Sequence, residues 1–152
     1  MPMRSRRRFI ASMAGVAALP LMPALRARAA ENDLVPLIAK LTGGADVSEG
    51  RVRVDTPILA DNGHSVPLKL SVDSPMTAAD HVRSITLLSD RNPRPLIATY
   101  RLGPKSGKAE VATRVRLNGT QQLIAIAQLS DGSFWRGSAD VVVTESACLD
   151  AS

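Results

Sequence analysis

The sequence predicts an all-β fold: an immunoglobulin-like antiparallel β-sandwich with a short N-terminal helix before it and a C-terminal cysteine arm after it. Three observations predict this. Short alternating apolar segments follow one another at roughly eight- to twelve-residue spacing. Two-residue turn signals punctuate them at Asn62-Gly63, Asn118-Gly119 and Asp131-Gly132. Only one segment has helical period, and it precedes all the strands.

That segment is "ENDLVPLIAKLTGG". Leu34, Leu37, Ile38 and Leu41 recur at i, i+3, i+4 and i+7 and make one apolar stripe. Asn32 or Asp33 is the expected N-cap, Pro36 falls in the expected first turn, and Gly43-Gly44 ends the helix. "RVRVD", "HSVPLKLSVDS", "VRSITLLSD", "PLIATYRLG", "AEVATRVRLN", "QQLIAIAQLS" and "ADVVVTES" are the expected strands. "RVRLNGTQQLIAIAQL" reads as a hairpin closed by Asn118-Gly119, and "DRNPRPL" and "LGPKSGK" as turn-rich connections.

Ahead of the helix, residues 1–29 have the three parts of a cleaved export signal: a basic head (Arg4, Arg6, Arg7, Arg8), an apolar run from Phe9 to Leu25, and Ala27-Arg28-Ala29 as a small-x-small cleavage site. "SRRRFI" fits the twin-arginine export motif, with an ordinary secretory signal as the alternative. The expected organisation is thus signal at 1–29, sandwich at 30–145 and arm at 146–152, in a periplasmic protein with no membrane segment after cleavage.

Removing the signal takes away six of the 19 Lys+Arg and no acid, leaving 13 against 14 Asp+Glu, a net of −1. The mature chain has no basic stripe and few aromatic residues, which argues against nucleic-acid binding. About 120 residues make one domain, large enough to bury a core without a disulfide staple.

Catalytic constellations are missing: no phosphate loop, no nucleophile elbow, no acid pair with an evident role, and no motif that asks for a cofactor. Met76 and His81 could suggest copper, with His64 as a further imidazole, but one soft ligand and one imidazole five residues apart make no metal-specific pattern. They read as a loop leading into a strand. Trp135, in "DGSFWRGS", is either a partly buried packing residue or an interaction anchor.

Cys148 is the single cysteine, so it cannot form an internal disulfide. It lies three residues past the expected end of the last strand, a reach of about 10 Å. Glu145 and Asp150 flank it and disfavour the thiolate, so its own chain does not activate it as a nucleophile. A presented, unactivated thiol suits an attachment point for a group handled by other proteins. The competing reading is a β-sandwich interaction module whose Cys148 forms an intermolecular disulfide and carries no cargo.

The stretches "KLTGGADVSEGRVRVDTPILADNGHSVPLKLSVDSPMTAADHV", "NPRPLIATYRLGP", "AEVATRVRL", "IAIAQLSDGSFW" and the terminal "VVVT" followed by Cys148 resemble the SoxY family of sulfur carriers over nearly the whole mature chain. The resemblance implies a non-catalytic protein that pairs with a SoxZ-like sandwich subunit in the periplasm. It implies that Cys148 holds intermediates of thiosulfate and sulfur oxidation covalently, while separate enzymes load and unload them. The usual family arm reads Gly-Gly-Cys-Gly-Gly. Here Ser146, Ala147, Leu149 and Asp150 surround Cys148, a pattern similar to a SoxY-related branch with Ala-Ala-Cys-Ile-Glu. Ala147 stiffens the tether, Leu149 adds bulk and Asp150 adds charge.

Overall fold

The computed structural model describes residues 27–146. It is a sandwich of two sheets with a helix against the outer face of the larger one, so the predicted N-terminal helix and β-sandwich are borne out.

Helix α1 spans Ala27–Thr42. It begins upstream of the expected Asn32 or Asp33 cap, because "ARAA" continues the helix with good helix formers. Pro36 therefore lies in the helix interior rather than in its first turn. Its ring removes one backbone donor, and packing of the stripe offsets that loss. Leu34, Leu37, Ile38 and Leu41 meet Leu88, Ile124, Ile126 and Phe134, as the periodicity predicts. Gly43 and Gly44 stop the helix at φ 65° and 82°, and Gly44 N–H donates to Ala39 C=O at 2.9 Å, closing a Schellman-type end.

Among the described residues nine strands follow: β1 (Val47–Glu49), β2 (Val52–Asp55), β3 (Leu59–Asn62), β4 (Val66–Val72), β5 (Val82–Ser89), β6 (Leu96–Arg101), β7 (Glu110–Val115), β8 (Gln121–Leu129) and β9 (Phe134–Glu145). The small sheet has the order β2-β4-β7; the large one runs β1-β9-β8-β5-β6, with β3 also on β9. Strand β4 buries Val66, Leu68, Leu70 and Val72 and leaves Pro67 and Lys69 in water, the alternation of a sheet wet on one face. Strand β8 is buried on both faces. Leu123, Ala125, Ala127 and Leu129 join the inter-sheet core, while Ile124 and Ile126 lie under α1. Hence the near-continuous apolar run "LIAIAQL".

Two expectations need correction. The sandwich is not antiparallel throughout: β1 and β3 pair parallel with β9, end to end along its edge. Strand β3 reaches that edge by crossing from β2 in the small sheet, and β1 reaches it from α1, so no hairpin fixes the direction of either. Of the three Xaa-Gly signals, only Asp131-Gly132 closes a hairpin, between β8 and β9, with Gly132 at φ 87°. Asn118-Gly119 instead carries the chain from β7 in the small sheet to β8 in the large one, and Asn62-Gly63 joins β3 to β4 in the same fashion. Such a dipeptide supplies a turn; burial and pairing of the flanking strands decide where the turn leads.

At Gly137, midway along β9, β2 comes close. A Cβ there would lie 2.2 Å from the Val52 carbonyl oxygen, so the position admits only glycine without a backbone shift.

Candidate functional site: the root of the C-terminal arm

Strand β9 delivers the chain to the arm. Its last turns are held on both sides. On one side, Val142 N–H donates to Ile58 C=O at 2.8 Å, Gly63 N–H donates to Glu145 C=O at 2.8 Å, and the Thr144 hydroxyl donates to Asp61 C=O. On the other, Val143 N–H donates to Thr120 Oγ1 at 3.0 Å. Ser146 follows, half-buried, with its Oγ donating to Asn118 Oδ1 at 2.6 Å. The two Asn-Gly turns that close no hairpin therefore bracket the base of the arm.

A hydrogen-bonded network supports Asn118 from below. Its N–H donates to Asn92 Oδ1 at 2.9 Å, and Asn92 Nδ2 donates to Arg116 C=O at 2.9 Å. Gln121 Nε2 donates to Asn92 Oδ1 at 3.2 Å and to Gly119 C=O at 3.1 Å. The Ser89 hydroxyl donates to Gln121 Oε1, and Ser89 Oγ accepts from Asn92 N–H at 2.9 Å. Ser89 and Gln121 are buried, where unpaired polar groups would be costly. Satisfying them ties the β5–β6 loop, the Asn118 turn and the arm's root into one unit.

Sequence reasoning identified Ser146 as an arm residue but missed Ser89, Asn92, Asn118 and Gln121 as its support. The only sequence signal was the turn dipeptide itself. Ala147, Cys148, Leu149 and Asp150 lie outside the described residues.

The other candidates are not brought together here. Met76 is buried and its Sδ accepts from Val82 N–H at 3.4 Å, which makes it a core residue. His81 is half-buried, with Nδ1 3.1 Å from Thr77 C=O and its N–H donating to Ser130 Oγ at 3.1 Å. His64 is exposed after the Asn62-Gly63 turn, its N–H donating to Asn62 Oδ1 at 3.2 Å. Among the described residues, no three His, Cys, Asp or Glu side chains cluster as metal ligands.

Trp135 sits at the opposite end of β9, about 30 Å along the strand from Glu145. It packs on the core, its Nε1–H donates to Ser133 Oγ at 3.1 Å, and the Arg51 guanidinium lies 5.1 Å from the ring centroid. Ser133 also donates to Asp131 Oδ1 from its hydroxyl at 2.7 Å and its N–H at 2.9 Å. These bonds, with a smaller contribution from Arg51, hold the Asp131 carboxyl below its ordinary range. This cluster stiffens the β8–β9 hairpin and is remote from the arm's root at Ser146.

Comparison with known proteins fits this geometry. No curated protein matches the chain. The structure of the sulfur carrier protein SoxY from Chlorobium limicola f thiosulfatophilum is similar at TM-score 0.64 and 26% identity, covering 75% of this chain and 98% of that one. A superoxide reductase (neelaredoxin) from Ignicoccus hospitalis is similar at TM-score 0.56 and 19% identity, covering 62% and 80%; a putative superoxide reductase from Thermotoga maritima gives 0.54 and 20%, covering 66% and 89%. These two likenesses are of fold alone. The family model of sulfur oxidation protein SoxY matches residues 38–148, from the middle of the helix stripe, through both sheets and the arm's root, to the cysteine. By that span, the chain belongs to the SoxY family of sulfur oxidation proteins.

Proposed function

We propose that this chain is a periplasmic, non-catalytic carrier that holds a sulfur intermediate covalently on Cys148 for partner enzymes of sulfur oxidation. The observation that carries the reading is that the family match runs to Cys148 itself, two residues beyond the anchored Ser146. A firm root and a short tether suit a thiol that must be offered repeatedly in one place. Forming a disulfide-type bond between Cys148 and a sulfur species removes the thiol proton and two electrons. The loading enzyme therefore supplies an oxidant, and thiol–disulfide chemistry or hydrolysis at a partner releases the cargo. The sandwich contributes position, and the partners contribute chemistry.

Export through residues 1–29, by the twin-arginine route, delivers the protein to the compartment where those partners work. A SoxZ-like sandwich subunit completes the carrier as a heterodimer. Leu149 and Asp150 widen the arm relative to a glycine arm and select its loading enzymes.

The test is co-purification of the chain with a SoxZ-like subunit from the native organism, followed by thiosulfate-dependent loading by the partner enzymes. Loading of the native chain and none of Cys148→Ser supports the proposal; equal loading of both contradicts it. Glycines at positions 146, 147, 149, 150 and 151 are expected to admit thiosulfate enzymes that normally serve glycine arms. No gain in loading by them would remove the steric account of the arm.

A further inference from the structure

A groove of about 360 Å³ opens beside the arm's root, lined by Asn92, Pro93, Arg94, Leu96, Ile97 and Arg116. Its apolar part is Leu96, 40% exposed, with Ile97, which packs on the core. Arg94 and Arg116 are exposed, and neither guanidinium meets a carboxylate among the described residues. An apolar patch between two cations is complementary to an apolar residue followed by an acid. The chain carries that pair at Leu149-Asp150.

The path from arm to groove is short. Ser146 Oγ is 2.6 Å from Asn118 Oδ1, Asn118 N is 2.9 Å from Asn92 Oδ1, and Asn92 lines the groove. Leu149 lies three residues past Ser146, a reach of about 10 Å. Arg116 precedes Asn118 by two residues on the same segment.

We propose that residues 147–150 dock in this groove of their own chain, with Leu149 against Leu96 and Ile97 and the Asp150 carboxylate between Arg94 and Arg116. Cys148 is then held at the groove's rim. Docking recovers apolar burial and an exposed ion pair but must order the tail, so it is a shallow equilibrium that partners displace. A glycine arm has neither anchor, which gives Leu149 and Asp150 a positive role in addition to bulk.

The test is the rate of Cys148 alkylation by iodoacetamide in the reduced full chain. Docking predicts alkylation about three- to tenfold slower in the native chain than in Leu96→Ser or in Arg94→Ala/Arg116→Ala, the range expected for a shallow equilibrium. The sign discriminates. Removing two cations near a thiol, with no docked tail, raises the thiol pKa and slows alkylation, whereas releasing a docked tail accelerates it. Protection restored by combining Asp150→Arg with Arg94→Asp and Arg116→Asp supports the ion pair. Equal or slower alkylation in the groove variants overturns the proposal. So does protection that rises with protein concentration, which would place a second copy's tail in the groove. As a check that needs no groove substitution, a nitroxide on Cys148 is expected to broaden the Leu96 and Ile97 methyl signals; unbroadened signals overturn the proposal. Both experiments use a bare or labelled thiol, so their outcome is independent of whether Cys148 carries sulfur.

Discussion

Ser146 Oγ donates to Asn118 Oδ1 at 2.6 Å, across 28 residues of sequence, at the point where the last strand becomes the arm. This bond fixes the origin of the tether, and Asn118 is itself fixed by Asn92 and, through it, by buried Gln121 and Ser89.

Removing that bond is expected to loosen the root. Ser146→Ala should cost about 1 kcal/mol, the net worth of one hydrogen bond. Denaturant unfolding measures the cost, and hydrogen exchange at residues 143–146 reports the loosening. Asn118→Asp keeps the acceptor and should behave closer to the native chain than Asn118→Ala.

Gly137→Ala should be the most damaging glycine substitution in the strands. Its Cβ would press on the Val52 carbonyl oxygen at 2.2 Å, and overpacking of this kind costs about 1–3 kcal/mol or more. Gly103→Ala, whose Cβ would meet nothing within 4 Å, should change thermal stability little. Paired melting curves of the two variants compare them directly.

Asp131 is expected to titrate below its ordinary value of 3.8, because Ser133 donates to it from both hydroxyl and N–H. A folded-state pKa below the unfolded one means that the stabilisation is present above the unfolded pKa and is lost as pH falls through the folded one. Carboxyl-carbon NMR should show the Asp131 midpoint rising in Ser133→Ala and rising less in Arg51→Ala. An unchanged midpoint in Ser133→Ala would contradict the assigned cause.

Met76→Leu should be tolerated at a cost below about 1.5 kcal/mol, as a volume-conserving core exchange. The residue is buried and its thioether meets a backbone N–H. Thermal unfolding of the variant in the presence and absence of copper should give the same shift from the native chain. A shift seen only with copper would restore a metal role for the Met76–His81 segment.

What was legible in the sequence follows from local physics. The helix stripe and the wet-faced strand β4 each declare one buried face, and their periods were readable. The strands β1 and β3 were not. At three and four residues they carry too few alternations, and their existence depends on a parallel edge of β9 some 80 residues away. The helix start was misplaced because Asn32 and Asp33 look like caps, while "ARAA" upstream continues the helix. The arm's cysteine stood out by position alone. Its support did not, because Asn92, Asn118 and Gln121 are ordinary turn and strand-end residues until the fold places them together. Asn118-Gly119 shows the limit most clearly. A turn dipeptide specifies local φ, and the choice between hairpin and sheet-to-sheet crossing lies in distant pairing.

The central claim is that Cys148 carries sulfur. Its most direct test is the intact mass of the protein purified from its native organism without reductant, measured again after reduction and followed by peptide mapping. The account predicts added mass in sulfur or sulfur–oxygen units on Cys148, wholly or partly removed by reductant. A thiol that is unmodified, or only dimerised, across growth conditions with and without thiosulfate would contradict it.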